Sequence, residues 1–364
     1  MEKTRRSGCR VTAVVVTYNR KELLAECLQA LLAQTVFEPN AEGAAGEAAA
    51  EISEEAATEI SEEAATEIAK ERGRKAAGCE LEILVVDNAS TDGTASSLSP
   101  LLEREPRIHY MLLEENLGGA GGFCAGMKRA VEEGCDYVWI MDDDTIPKPQ
   151  ALEKLLEVAD VLEESREENR KAGFGFLSSE VLWTDGTPCR MNRQHFPAVS
   201  GDRQKELQAG FGIRPVDQAT FVSLLFPADV IAEMGLPVRE YFIWGDDKEY
   251  TLRLAAAYPC YYVPESVVVH KMGQNTGSNI TFDNIGRISR YFYAYRNDLA
   301  TAKRRGLKDI LIYFAAFGLN MARILIKSPD HKRARLAVMW KGMLAGVRFS
   351  PGVEYPKKEE KREN

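Results

Sequence analysis

The sequence predicts an α/β fold, a largely parallel sheet with helices on both faces, followed by a helical C-terminal extension. Three observations predict it. Short apolar, β-branched runs recur at Val11–Thr17, Leu81–Val86, Ile108–Leu113 and Tyr137–Met141. Segments of helical spacing separate them, the alternation expected of parallel strands with crossover helices. Polar residues, Thr17, Asp87 and Asp142, close three of these runs, and ligands bind such sheets at the carboxyl ends of strands.

Val11–Thr17 reads as the first buried strand. Leu24, Cys27, Leu28 and Leu31 then recur at helical spacing, with Asn19 and Glu22 placed as a capping pair. Leu81–Val86 is the second strand and ends at Asp87-Asn88. Between them, Val36–Gly78 carries the octapeptide EISEEAAT twice, at Glu51–Thr58 and Glu59–Thr66. Its Ala and Glu favour helix, but its few isoleucines make too narrow a stripe for a core. It reads as an acidic surface insertion, helical or disordered, without a part in the chemistry. Ile108–Leu113 is a strand, Gly122–Glu133 a helix, Tyr137–Met141 a strand and Ala151–Glu164 a helix. The pattern then becomes mixed, with strands at Phe174–Trp183 and Ala219–Phe226, a helix at Asp246–Tyr258 and a final strand at Tyr261–His270. Beyond Ile288, Leu307–Ile326 and Arg333–Val347 read as helices with apolar faces and Lys/Arg. The expected division is a catalytic unit over 1–290, a helical region over 291–350 and a frayed tail over 351–364.

With 364 residues, 45% of them hydrophobic, the chain can bury one large core plus an appendage. Charge is segregated. Glu38–Arg72 holds eleven Glu against Lys70 and Arg72, whereas Thr301–Ser350 holds eleven Lys/Arg against two Asp. Basic amphipathic helices suit an anionic membrane surface, while an ordinary packing face against the main domain or another subunit reads equally well. Seven cysteines without a C-x-x-C pair, beside four histidines, argue against a disulfide framework and a zinc site and fit a reducing compartment. The first apolar run is strand length, which argues against a secretory signal, and no run of about 20 apolar residues spans a bilayer.

Met141-Asp142-Asp143-Asp144 follows the strand Tyr137–Met141 directly. Two unit charges ~4 Å apart repel by roughly 4 kcal/mol at an effective dielectric near 20, so adjacent carboxylates call for a cation. A divalent ion with oxygen ligands fits, and it could hold the diphosphate of an activated sugar. The bland alternative is a hydrated acidic turn. His270, ending an apolar strand, is either a satisfied core histidine or a third ligand at an Mn²⁺-type site; the aspartates favour the second. Asn116–Gly122 (NLGGAGG) opens a helix, yet it is neither a dinucleotide fingerprint nor a P-loop, since Cys124 and Met127 stand where those motifs need Gly and Lys. Trp244-Gly245-Asp246-Asp247-Lys248-Glu249 sets three acids at a helix start, either as caps or with one aspartate as general base and Trp244 as a wall for a sugar.

Together VVVTYNR (Val14–Arg20), VVDNASTDGT (Val85–Thr94), NLGGAGGF (Asn116–Phe123), MDDDT (Met141–Thr145), WGDDKEYTLR (Trp244–Arg253) and VVVH (Val267–His270) closely resemble a family 2 glycosyltransferase of the glycosyltransferase-A fold. Tyr295-Arg296-Asn297 ends the matching span. The combination is most similar to galactofuranosyltransferases and allied rhamnosyltransferases. The resemblance implies that Thr17, Tyr18, Arg20 and Asp87, with Asn88, Asn116 and Asp143, line the nucleotide. It implies that Gly118 and Gly119 approach the donor, and that Asp142, Asp144 and His270 hold Mn²⁺ or Mg²⁺ against the diphosphate. Asp247 would be the catalytic base, with Asp246, Glu249 and Trp244 around the acceptor. The implied reaction is an inverting transfer from a nucleotide sugar, UDP-galactofuranose first and dTDP-rhamnose second, to a glycan or lipid-linked glycan. The implied setting is cell-surface polysaccharide synthesis at the cytoplasmic face of the membrane, with no nucleic-acid partner. A nucleotidyltransferase and a non-catalytic carbohydrate-binding protein are the competing classes. The acidic insertion departs from the family pattern.

Overall fold

A computed structural model describes residues 8–37, 79–168, 173–198 and 202–357. Four strands, β1 (Arg10–Thr17), β2 (Glu80–Asp87), β3 (Ile108–Leu112) and β4 (Tyr137–Asp142), are parallel in the order β3-β2-β1-β4. Between them lie helices α1 (Lys21–Leu32), α2 (Thr94–Arg104) and α3 (Gly118–Glu132). β1 is almost uniformly apolar because both its faces are buried. Ala13 and Val15 enter one core with Leu24 and Leu28 of α1; Val14 and Val16 enter the other with Phe123 and Met127 of α3.

The remaining sheet is mixed. β8 (Leu224–Pro227) runs antiparallel to β4, and β6 (Leu177–Trp183) antiparallel to β8. β9 (Tyr261–His270) then runs parallel to β6, and its other edge takes β5 (Thr145–Pro147) and β7 (Arg214–Pro215). Helices α4 (Ala151–Glu168), α5 (Asp202–Phe211), α6 (Ala228–Met234) and α7 (Asp246–Ala255) complete this part. Three helices follow, α8 (Tyr291–Arg305), α9 (Leu307–Lys327) and α10 (Lys332–Arg348), packed around Tyr295, Phe317, Ile324 and Met339.

Several sequence expectations need correction. Asn19 does not cap α1: its side-chain oxygen accepts from the Thr91 backbone N–H at 2.7 Å, and Arg20 holds the cap position without a side-chain bond. α3 starts at Gly118, four residues earlier than expected, because the glycine run forms the helix's first turn. Cys9 and Cys79 form one disulfide, where the cysteine pattern argued against a disulfide framework and for a reducing compartment. The parallel register pairing Arg10 with Glu80 sets these two residues side by side, although 70 positions separate them. The other five cysteines are buried and free. The 21-residue α9 is long and apolar enough to cross a membrane by length and composition, which a search for an uninterrupted apolar run overlooks.

The insertion also begins later than expected. Val36 is buried in the core and the Thr35 backbone N–H donates to Pro149 O at 2.9 Å, so residues 35–37 belong to the sheet unit. The tandem octapeptide itself lies outside the described residues. Replacing residues 38–78 with a short Gly/Ser linker is expected to keep cooperative thermal unfolding, and turnover within a few-fold of the parent. Loss of cooperative thermal unfolding, or of turnover, would assign the insertion to the core or the site.

Candidate active site

Strand register assembles the first half of the site. Thr17 lies opposite Asp87 across β1/β2, and Val16 opposite Asp142 across β1/β4. Antiparallel pairing of β5 with β9 sets Thr145 opposite His270, which brings Asp144 against the ring. Asp144 Oδ1 is 2.9 Å from His270 Nε2, and the Lys271 backbone N–H donates to Asp144 O at 2.8 Å. One potential ligand atom from each of Asp142, Asp144 and His270 lies within 4.8 Å of the others. Two carboxylates and an imidazole so placed fit Mn²⁺ or Mg²⁺.

Asp143 faces differently. It accepts from Thr17 Oγ1 at 2.7 Å and from Arg20 Nη1 at 3.1 Å, and the same Arg20 nitrogen reaches Asp144 Oδ2 at 2.8 Å. Arg20 therefore engages the aspartates. Burial, then the Asp144 and Asp143 charges, push Asp142 up to about 7, against the pull of His270 and Arg20. Burial likewise lifts Asp143 to about 6 despite Arg20 and Thr17. Asp144 is held below the usual range: burial opposes this, but the His270 bond together with the His270 and Arg20 charges outweighs it. Burial works to lower His270, yet its bonds to Asp144 and Cys189 raise it to about 10. Two carboxylates driven toward neutral pKa mark a cluster short of positive charge, the condition a bound cation relieves.

The other expected donor residues divide. Tyr18 is exposed at the strand end. Asp87 is buried, with one oxygen accepting from the Ser90 N–H at 2.7 Å and the other from the Tyr110 hydroxyl at 2.6 Å. Asn88 bridges β2 to α3, accepting from Leu117 N–H and donating to Gly118 O, both at 3.3 Å. Asn116 accepts from the Gly118 N–H at 2.8 Å. Gly118 has a reason internal to the chain: a Cβ there would fall 2.0 Å from Phe242 O. Gly122 and Gly126 let α3 settle onto Val16 and Val14, whereas Gly119 faces open space.

That contact with Phe242 joins the glycine helix to the second half of the site. Phe242 (φ 65°), Trp244 (φ 64°) and Gly245 (φ 88°) form a left-handed turn ahead of α7. Such non-glycine residues cost ~1–3 kcal/mol each and persist only where their surroundings impose them. Asn297, fully buried in α8, imposes it by donating from Nδ2 to Tyr241 O (2.9 Å), Ile243 O (3.3 Å) and Trp244 O (2.7 Å). The Trp244 ring meets Tyr291 edge-on at 5.0 Å. Burial pushes Asp247 up to about 6, against the Lys248 N–H and the Lys248 charge. Burial, then the charges of Asp247 and Asp142, push Asp246 well above the carboxylate range. Asp142 thus acts electrostatically on Asp246, which couples the two halves.

Glu249, expected around the acceptor, makes its contacts within the protein. Its buried carboxylate is taken up by Arg253 (3.0 and 3.1 Å) and Arg304 (2.9 Å), tying α7 to α8. Residue types alone did not reveal Asn297 or Arg304. The only sequence signal was Tyr295-Arg296-Asn297 at the end of the motif series.

The profile of glycosyl transferase family 2 matches residues 64–165, from before β2 into α4. Galactofuranosyltransferase GlfT1 of Mycobacterium tuberculosis is 30% identical over 247 residues, covering 63% of this chain and 75% of its own length. The chain belongs to glycosyl transferase family 2. The protein of the same name from Mycolicibacterium smegmatis is 24% identical over 314 residues, 83% of this chain and 85% of that one. Among solved structures, GalNAc-T7 with UDP, GalNAc and Mn²⁺ superposes with a TM-score of 0.55 at 11% identity, over 93% of this chain and 57% of that one. This family 2 glycosyltransferase therefore carries the glycosyltransferase-A fold, extended by α8–α10.

Proposed function

We propose that this family 2 glycosyltransferase moves galactofuranose, with inversion, from UDP-galactofuranose to a hydroxyl of a glycan or lipid-linked glycan. One observation carries the reading: Asp142, Asp144 and His270 converge on one point, and Asp142 lies close enough to Asp246, the neighbour of Asp247, for the two charges to interact. The similarity to GlfT1 supports the donor. In this reading Asp142, Asp144 and His270 hold Mn²⁺ or Mg²⁺. When bound, that ion supplies Lewis-acid neutralisation of the departing diphosphate. Asp247 takes the proton of the acceptor hydroxyl as its oxygen attacks the anomeric carbon, and Trp244 walls the acceptor. Thr17, Tyr18, Arg20 and Gly119 border the donor. The test is diphosphate release across a panel of nucleotide sugars, with UDP-galactofuranose expected to lead. Turnover with dTDP-rhamnose alone would overturn the donor assignment.

The catalytic unit over 1–290 and the helical region over 291–350 then divide the work, the second facing the cytoplasmic side of a membrane. Leu311, Ile312 and Phe314 on α9, and Trp340 and Leu344 on α10, are exposed. Exposed Lys308, Arg323, Lys327, Arg333, Lys341 and Arg348 share these helices. An apolar surface carrying basic charge suits anionic lipid. Burying a large apolar side chain is worth ~1.5–3 kcal/mol, so Leu311→Ser with Phe314→Ser is expected to weaken binding to anionic vesicles by ~10-fold or more. Higher salt is expected to weaken binding of the parent. Salt-insensitive or absent binding, with concentration-dependent self-association, would favour a subunit interface.

A further inference from the structure

We propose that Asn192 is a positioning residue for His270: its side-chain oxygen holds the imidazole proton on Nδ1 and so leaves Nε2 to ligate the cation. The assignment rests on the metal-site reading above and adds a residue to it. Asn192 is buried, and its Oδ1 is 2.7 Å from His270 Nδ1, on the opposite side of the ring from Asp144. The same oxygen accepts from Cys189 Sγ at 2.9 Å, and Nδ2 donates to Thr220 Oγ1 at 2.8 Å.

The Cys189 thiol donor sets the polarity of the amide, since the Thr220 hydroxyl can meet either end of it. A neutral imidazole carries its proton on one nitrogen and a lone pair on the other, and a metal ligand must present the lone pair. An acceptor opposite Nδ1 keeps the proton there. The reversed amide would set an N–H against Nδ1, drive the proton to Nε2 and remove the ligand. It would also turn the nitrogen away from Thr220 and toward the Cys189 thiol.

The segment carrying Asn192 is pinned on two sides. Toward β6, the Trp183 backbone N–H donates to Thr187 O at 2.7 Å and the Cys189 N–H to Val181 O at 2.9 Å. Beyond His270, Asn275 accepts from the Arg190 N–H at 2.7 Å and donates to Pro188 O at 3.2 Å. His270 lies opposite Trp183 in the β6/β9 register, so the turn after β6 returns directly behind the ring. The chain on either side of the ligand thus builds its support.

Outer-sphere partners of a metal-bound histidine typically contribute 10–100-fold in affinity. The test titrates Mn²⁺ alone into the full chain and reads free Mn²⁺ by electron paramagnetic resonance, so no sugar donor is needed. Asn192→Leu removes the acceptor at similar volume and is expected to weaken Mn²⁺ binding by ~10–100-fold. Asn192→Asp keeps an acceptor oxygen on Nδ1 and is expected to stay within a few-fold of the parent or bind more tightly. Thermal unfolding checks each variant, and Asn192→Ala replaces Asn192→Leu if the latter does not fold. A folded Asn192→Leu or Asn192→Ala that binds Mn²⁺ like the parent would overturn the assignment alone. So would Asn192→Asp losing as much affinity as the apolar variant. A parent chain that binds no Mn²⁺ would overturn the metal site and this assignment with it.

Discussion

Asp247→Asn is expected to lower sugar transfer by ~10²–10⁴-fold, the usual worth of a general base. Affinity for UDP plus Mn²⁺ should change little, because the substitution keeps the shape and removes only the proton acceptor. The surroundings of Asp247 also predict a pH profile. Burial sets its pKa at about 6, and a base works only when ionised. The transfer rate is therefore expected to rise with pH through about 6 and to level off above it, and this acidic limb should vanish from the residual activity of Asp247→Asn. A purely capping aspartate predicts otherwise, since Asn caps a helix about as well as Asp. A variant that keeps most of its rate would remove Asp247 from the mechanism. Asp246 would then be the next candidate, since Glu249 is committed to Arg253 and Arg304.

His270→Ala and Asp144→Asn are expected to act on a different step. Each removes a group that faces the proposed cation, so metal-dependent UDP binding should fall by more than the ~10–100-fold typical of outer-sphere changes, and turnover should fall with it. Binding of UDP measured in EDTA should be the same in parent and variants. Full transfer by the parent in EDTA would sink the metal reading. Asp143→Asn offers an informative contrast: Asp143 is engaged by Thr17 and Arg20 instead of lying in the Asp142/Asp144/His270 group. Its main expected effect is on the setting of Arg20, with a smaller loss of Mn²⁺ affinity than at Asp144.

Much of the fold was legible because periodicity is local. The strand Tyr261–His270 has the residue bounds read from the sequence, and the helix expected at Leu307–Ile326 runs over Leu307–Lys327. Buried Leu24, Cys27, Leu28 and Leu31 are those whose spacing predicted them. α8 was not legible as a separate element: its aromatic and polar residues serve two neighbours at once, Tyr291 and Tyr295 packing against the C-terminal helices while Asn297 braces the Trp244 turn. A single-faced stripe is absent, so its pattern did not stand out.

The chemistry divides the same way. By itself the sequence determined the family, the order of most of the longer strands and helices, and the kinds of group available: adjacent aspartates at a strand end, a histidine ending another, and an acidic pair opening a helix. Each is a local fact, because hydrophobic period and residue type act over a few positions. The tertiary structure alone decided which groups meet. Antiparallel pairing of β5 with β9 brings Asp144 to a histidine 126 residues away, the β1/β2 register joins Cys9 to Cys79, and α8 claims Glu249 through Arg304. A shift of one residue in such pairing turns each side chain to the opposite face of its strand. These assignments therefore follow from long-range register, which no short stretch of sequence encodes.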